Sequence, residues 1–172
     1  TADLIVYVGG ESDADWISEL RSTVKTQAKW CALTELTPTL EEILTESMEH
    51  GHEHDHAETH HTANAYDEHV WTSPKRAIDI VKSLTDIICT LDEEYSEIYK
   101  KNCENYVSNL MMLDKELKDT VNAGVGKKIV FGDRFPFRYL CADYGLEFDA
   151  AFPGCSAVSD PSVKQITSLT QT

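Results

Sequence analysis

The most constraining feature of the sequence is a long, unbroken apolar stripe. Tyr95, Tyr99, Cys103, Tyr106, Leu110, Leu113, Leu117 and Val121 recur three and four residues apart, and neither Pro nor Gly interrupts them before Gly124. A helix from Glu93 to Ala123 would be roughly 46 Å long at 1.5 Å per residue. A small lobe has no use for a helix of that length, so the stripe predicts an element that links two lobes rather than sits within one. Thr90 and Glu93 have capping-box spacing and mark its expected start. The alternative is a single α/β domain carrying a long surface helix.

The flanks of the stripe read alike. Leu4 to Val8 is a short apolar run ending at Gly9-Gly10, as a parallel strand and its turn require. Ser12 is a candidate N-cap for a helix carrying Trp16, Ile17, Leu20 and Val24. Trp30 to Leu36 fits a second strand. Ser73 and Pro74 then open a helix striped by Ala77, Val81, Leu84, Ile88 and Leu91. Beyond Gly124, Lys128 to Phe131 reads as a strand and Asp133 to Tyr144 as a helix ended by Gly145. Leu146 to Phe152 reads as a further strand, and Pro161-Ser162 opens a last helix. Strand and helix alternate on both sides of the long helix, which predicts an α/β fold with parallel sheets.

A chain of 172 residues suits one large domain or two small lobes. The formal net charge of -15 argues against nucleic acid and anionic membrane surfaces and is compatible with cationic ligands. No apolar run is long enough to span a bilayer, and no signal peptide opens the sequence. The first strand begins at the second residue and the last helix runs only to Thr172, which reads as a piece of a longer protein. Five cysteines stand singly, without CxxC spacing, so neither a complete disulfide framework nor a zinc ribbon is predicted.

All seven histidines lie between residues 50 and 69. His50, His52, His54, His56, His60 and His61 are interleaved with Glu53, Asp55 and Glu58. From Glu46 to His69 there is no Val, Ile, Leu or Phe, so the segment 46–64 is expected to be a mobile loop. Neutral imidazoles with carboxylates beside them bind zinc, copper, nickel or iron, here loosely and at several sites. The plainer reading is a solvated polar loop. His69 differs. It is flanked by Tyr66-Asp67-Glu68 and Val70-Trp71 just before a capped helix, where rigid elements can fix its ring.

The stretch Asp67-Glu68-His69-Val70-Trp71-Thr72-Ser73-Pro74 resembles the D-x-H-x-W-x-[SD]-P motif of metal-specific solute-binding proteins of ABC importers, in their zinc branch. Ala2 to Gly10 resembles that family's opening strand. Leu91-Asp92 with Tyr99 to Asn102 resembles the start of its lobe-linking helix. Lys128 to Phe131 with Asp133, and Phe152-Pro153-Gly154 through Asp160-Pro161-Ser162, resemble parts of its second lobe. The resemblance implies two parallel-sheet lobes joined by one long backbone helix, incomplete at both ends. Residues 1–92 would belong to the N-terminal lobe, 93–123 to the linking helix and 124–172 to the opening of the C-terminal lobe.

The resemblance also implies that His69 is the primary metal ligand. The family's first histidine ligand would lie before Thr1 and its last ligand beyond Thr172. Where many members carry a histidine after the second-lobe strand, this chain reads Gly132-Asp133-Arg134-Phe135. Asp133 is then either a substitute ligand or the N-cap of the next helix. The implied function is extracytoplasmic capture of Zn2+, rather than Mn2+, for delivery to a membrane permease, with no catalysis. The alternatives are a His-rich metal buffer and a metal-dependent hydrolase. The second lacks support: His52-Glu53-His54-Asp55-His56 has HExxH spacing but falls in the segment expected to be a loop, which offers no rigid site, and Gly-x-Ser-x-Gly and a P-loop are absent. Open strand edges predict self-association of this chain on its own.

Overall fold

The strand signals become two separate two-stranded parallel sheets in the computed structural model, which describes residues 2–24, 27–49, 66–155 and 161–171. In the first sheet β1 (Leu4–Tyr7) pairs with β2 (Lys29–Ala32), Leu4 opposite Lys29 and Tyr7 opposite Ala32. Helix α1 (Glu11–Thr23) makes the crossover. In the second sheet β3 (Lys128–Phe135) pairs with β4 (Glu147–Pro153) across α5 (Arg138–Tyr144). Both are strand–helix–strand units, the connection that parallel neighbours require. The fold is therefore mixed helix and strand with parallel sheets, as the alternating pattern predicted. No described helix is long and apolar enough to cross a membrane.

Between the sheets in sequence lie α2 (Glu46–Glu49), α3 (Pro74–Leu91) and α4 (Ser96–Ala123). The 28 residues of α4 give a helix of about 42 Å. It packs along α3. The expected capping box at Thr90 and Glu93 does not form. Helix α3 runs through to Leu91, and the Thr90 hydroxyl donates to the Ile87 carbonyl. A 3-10 turn over Glu93–Tyr95 separates the helices, and the Tyr99 hydroxyl donates to Asp92 across it at 2.7 Å.

Three further boundaries depart from the sequence reading. The run expected as a strand from Trp30 to Leu36 ends at Ala32 and turns into a 3-10 segment, Leu33–Glu35. Helix α5 starts at Arg138, not Asp133, because β3 stays extended to Phe135. Phe135 is buried and stacks on Phe148 of β4, with ring centroids 4.2 Å apart, and Pro136 follows. Asp133 is thus an exposed strand residue and not an N-cap; its carboxylate accepts from the Arg134 amide. Finally, α1 is entered from Gly10, and Ser12 lies inside the helix.

Two apolar clusters form the core. One gathers Phe135, Cys141 and Ala150 around the second sheet, together with Met48 of α2. The other gathers Val70 and Ile80 with Leu33, Leu36 and Leu40, together with Tyr139 of α5. Each cluster therefore holds one side chain from the opposite half of the sequence. Burial of Met48 and Ser47 also shows that the polar tract does not begin as a loop: Glu46–Glu49 is a helical turn. Thr45 and Ser47 donate to the two oxygens of the Asp149 carboxylate at 2.6 and 2.8 Å. His50, His52, His54, His56, His60 and His61 lie outside the described residues.

Helix α6 (Val163–Thr170) follows Pro161-Ser162 as expected. Here a capping box does form: the Gln165 amide donates to Ser162 Oγ, and the Ser162 amide donates to Gln165 Oε1. The buried Gln165 side chain also donates to the Ala151 carbonyl, tying the helix to β4. Gly145 ends α5 as expected, in the left-handed conformation (φ 67°) that glycine adopts at many helix ends.

Candidate metal centre

His69 stands at the entry to a 3-10 turn, Val70–Thr72, that leads into α3. Val70 is fully buried, so the turn is anchored from below. Asp67 fixes the ring from two residues away. Its Oδ1 accepts from the His69 amide at 2.8 Å and lies 3.1 Å from Nδ1. With Nδ1 as donor, Nε2 is the free nitrogen, and it points toward Cys155 Sγ at 4.0 Å. This carboxylate–imidazole pairing sets the tautomer and raises the basicity of the outward nitrogen. The Asp67 hydrogen bond, and after it the contact with Cys155, outweigh burial and push the imidazole up to about 10 from its usual 6.5.

Glu68, between the two, faces the other way. Its carboxylate accepts from the Ser12 amide at 2.7 Å and from the Ser12 hydroxyl. It satisfies an orphan N–H at the start of α1 and lies at the positive end of the helix dipole. Gly10 permits this approach, since a Cβ there would overlap the Glu68 side chain. Ser12 thus serves a long-range contact rather than the cap the sequence suggested, while Ser73 takes the expected N-cap position before Pro74 but turns its hydroxyl to a distant partner. Ser73 donates to Asp143 of α5 at 2.6 Å.

Contacts from α5 hold the segment in place. The Tyr139 hydroxyl donates to the Asp67 carbonyl at 2.6 Å and accepts from the Leu40 amide at 3.1 Å. The Asp67 amide donates in turn to the Leu40 carbonyl. Arg76 of α3 forks onto Asp143, with Nε at 3.0 Å and Nη2 at 2.9 Å from its two oxygens. Burial pushes the Asp143 carboxyl up, but the hydrogen bonds from Arg76 and Ser73 win and hold it below its ordinary value.

The opposite wall comes from the end of β4. Gly154 lies against the imidazole: a Cβ there would stand 2.7 Å from His69 Cε1 and 3.1 Å from Nδ1. Cys155 follows, exposed. The Trp71 ring leans over His69 with centroids 5.6 Å apart. Gly9-Gly10 and Gly154-Cys155 both follow the C-terminal ends of parallel strands, where open α/β sheets bind their ligands. Among the described residues no three His, Cys, Asp or Glu side chains converge closely enough to hold a metal. The donors brought together are His69 Nε2 and Cys155 Sγ. Asp133 sits exposed on β3, and the loop histidines lie outside the described residues.

Reading the sequence alone found His69 but missed Asp67, Glu68, Tyr139, Gly154 and Cys155. A signal existed for one of them: a cysteine directly after a strand-ending Pro-Gly turn sits where the strand-end rule places ligands.

Comparison with known proteins identifies the family and the fold. The profile of the family described as "ZnuA: Zinc-uptake complex component A periplasmic" matches residues 1–172. The zinc-binding lipoprotein AdcA of Streptococcus pneumoniae is 33% identical over 174 residues, covering 99% of this chain and 32% of that protein. The high-affinity zinc uptake system protein ZnuA of Bacillus subtilis is 32% identical over 126 residues, 73% of this chain and 39% of that protein. The chain thus spans about a third to two fifths of the length of these relatives. The crystal structure of the Zn(II)-bound ZnuA-like domain of Streptococcus pneumoniae AdcA superposes with a TM-score of 0.68 at 27% identity. The match covers 99% of this chain and 55% of that one.

Proposed function

We propose, because this chain belongs to the periplasmic zinc-uptake complex component A family, that it captures zinc outside the cytoplasm and passes it to the permease of an ABC importer. The metal is cargo and no reaction is catalysed. The observation that carries this reading is the Asp67–His69 pair, whose hydrogen bonds leave Nε2 free beside the ends of the strands. Nitrogen with sulfur nearby is a borderline-soft donor set, suited to Zn2+ and poorly suited to Mn2+. His69 is the primary ligand. His50, His52, His54, His56, His60 and His61 form weak collecting sites, and Asp133 is the candidate carboxylate donor from β3. Residues 1–92 and 124–172 contribute to separate lobes, with 93–123 between them.

Zinc titration calorimetry tests this. His69→Ala should weaken the tight site by orders of magnitude. Deletion of residues 50–64 should remove weak sites and leave the tight one; the deletion spares 46–49, because Ser47 and Met48 are buried. Loss of the tight site on deletion, with His69→Ala silent, would instead mark a His-rich buffer.

A further inference from the structure

We infer that Cys155 is a thiolate ligand of the captured metal, so that His69 Nε2 and Cys155 Sγ form a mixed nitrogen–sulfur pair that makes this site selective for zinc over manganese. The inference rests on the metal-capture reading above and names a donor within it.

Geometry carries the argument. In a tetrahedral zinc site with Zn–S near 2.3 Å and Zn–N near 2.05 Å, the two donor atoms stand about 3.6 Å apart. Nε2 and Sγ stand 4.0 Å apart without a metal. A shift of a few tenths of an ångström closes the bite, a distance that the exposed Cys155 side chain covers by a small torsional change. His69 is already committed: Asp67 holds Nδ1, so its remaining nitrogen faces the sulfur. The local sequence brings the partners this close, because Gly154 has no Cβ to strike the ring.

The other four cysteines differ. Cys31 and Cys141 are buried, and burial raises both thiols above their ordinary value, Cys141 to about 11. Cys89 lies near the Ser96 carbonyl and Cys103 is half-buried on α4. Among the described residues only Cys155 pairs with an imidazole whose second nitrogen is fixed. On binding, the thiol gives its proton to solvent and the thiolate donates its lone pair to the metal, with no redox change. Thiolate favours zinc far more than manganese, which prefers oxygen donors.

Cobalt(II), a spectroscopic stand-in for zinc, tests the assignment. The wild-type chain loaded with cobalt should show a sulfur-to-cobalt charge-transfer band in the near ultraviolet. Cys155→Ser should abolish that band, and Cys103→Ser should leave it intact. Cys155→Ser should also weaken zinc binding by more than the ~10–100-fold that loss of an outer-shell partner costs. Manganese binding should change little, so zinc/manganese discrimination collapses. The wild-type spectrum needs no variant to fold. A cobalt complex without the band, a band that survives Cys155→Ser, or unchanged zinc affinity in that variant would overturn the assignment while leaving His69 as a ligand. Tight zinc binding that survives His69→Ala would overturn His69 as the primary ligand, and with it the reading of the site on which this inference rests.

Discussion

Removing one oxygen atom from the core should loosen the metal segment. Tyr139 is fully buried, and its hydroxyl makes two hydrogen bonds, to the Asp67 carbonyl and from the Leu40 amide. Tyr139→Phe keeps the ring and its packing against Val70 and Ile80 but strands both backbone groups. No solvent reaches the vacated position, so water does not replace the hydroxyl. An unsatisfied buried polar group costs about 1–3 kcal/mol. The Asp67 carbonyl belongs to a buried residue and should bear the full cost, whereas Leu40 is half-buried and bears less. The expected loss is therefore about 2–4 kcal/mol, a large share of the ~5–15 kcal/mol that holds a typical domain together. Urea unfolding of the chelator-treated protein measures it directly, the midpoint falling while the slope stays constant. Zinc affinity should fall as well, since the carboxylate that aims His69 hangs from the freed carbonyl. A stability change below about 0.5 kcal/mol, within the range of ordinary surface substitutions, would show that Tyr139 does not pin this segment.

Asp67→Asn should cut zinc affinity by roughly 10–100-fold, the usual effect of losing a carboxylate behind a ligating imidazole; calorimetry at fixed pH measures it. Gly154→Ala places a methyl group 2.7 Å from His69 Cε1 and should turn the ring away. The expected outcome is weaker zinc binding with an unchanged far-ultraviolet dichroism spectrum. The Asp143 carboxyl is held below its ordinary value of 3.8, so its clamp on Arg76 stabilises the fold above that pH and is lost as pH falls through the lower folded value. The urea midpoint should thus drop more steeply below pH 3.8 in the wild type than in Asp143→Asn.

What the sequence made legible was local. The long stripe, the Gly145 cap, the helix opened by Pro161-Ser162 and the strand–helix alternation all follow from spacing within a few residues. So did His69, through the motif around it. What stayed hidden depends on partners far along the chain. Ser12 looks like an N-cap until Glu68 takes its hydroxyl, and Ser73, which does sit at the N-cap of α3, gives its hydroxyl to Asp143 instead of the helix. Asp133 looks like a helix start until the stack of Phe135 on Phe148 holds the strand extended. Met48, one apolar side chain in a polar tract, gave too little signal to predict burial. Cys155 lies 86 residues from His69, a separation across which no periodicity operates.

The exchange of Met48 and Tyr139 between the two apolar clusters has a mechanical meaning. Each acts as a bolt driven from one half into the other. Swinging the sheets apart as rigid bodies would draw both bolts at once, exposing a methionine and breaking both hydrogen bonds of a buried tyrosine hydroxyl. Wide hinge opening of the kind seen in many ligand-binding proteins is thus blocked at the seam. An ion held by His69 would have to leave through a smaller motion, and the wall beside it is the turn at Gly154-Cys155, where the chain comes to the surface at Cys155. Release becomes a matter of one turn yielding, with the frame around it held still.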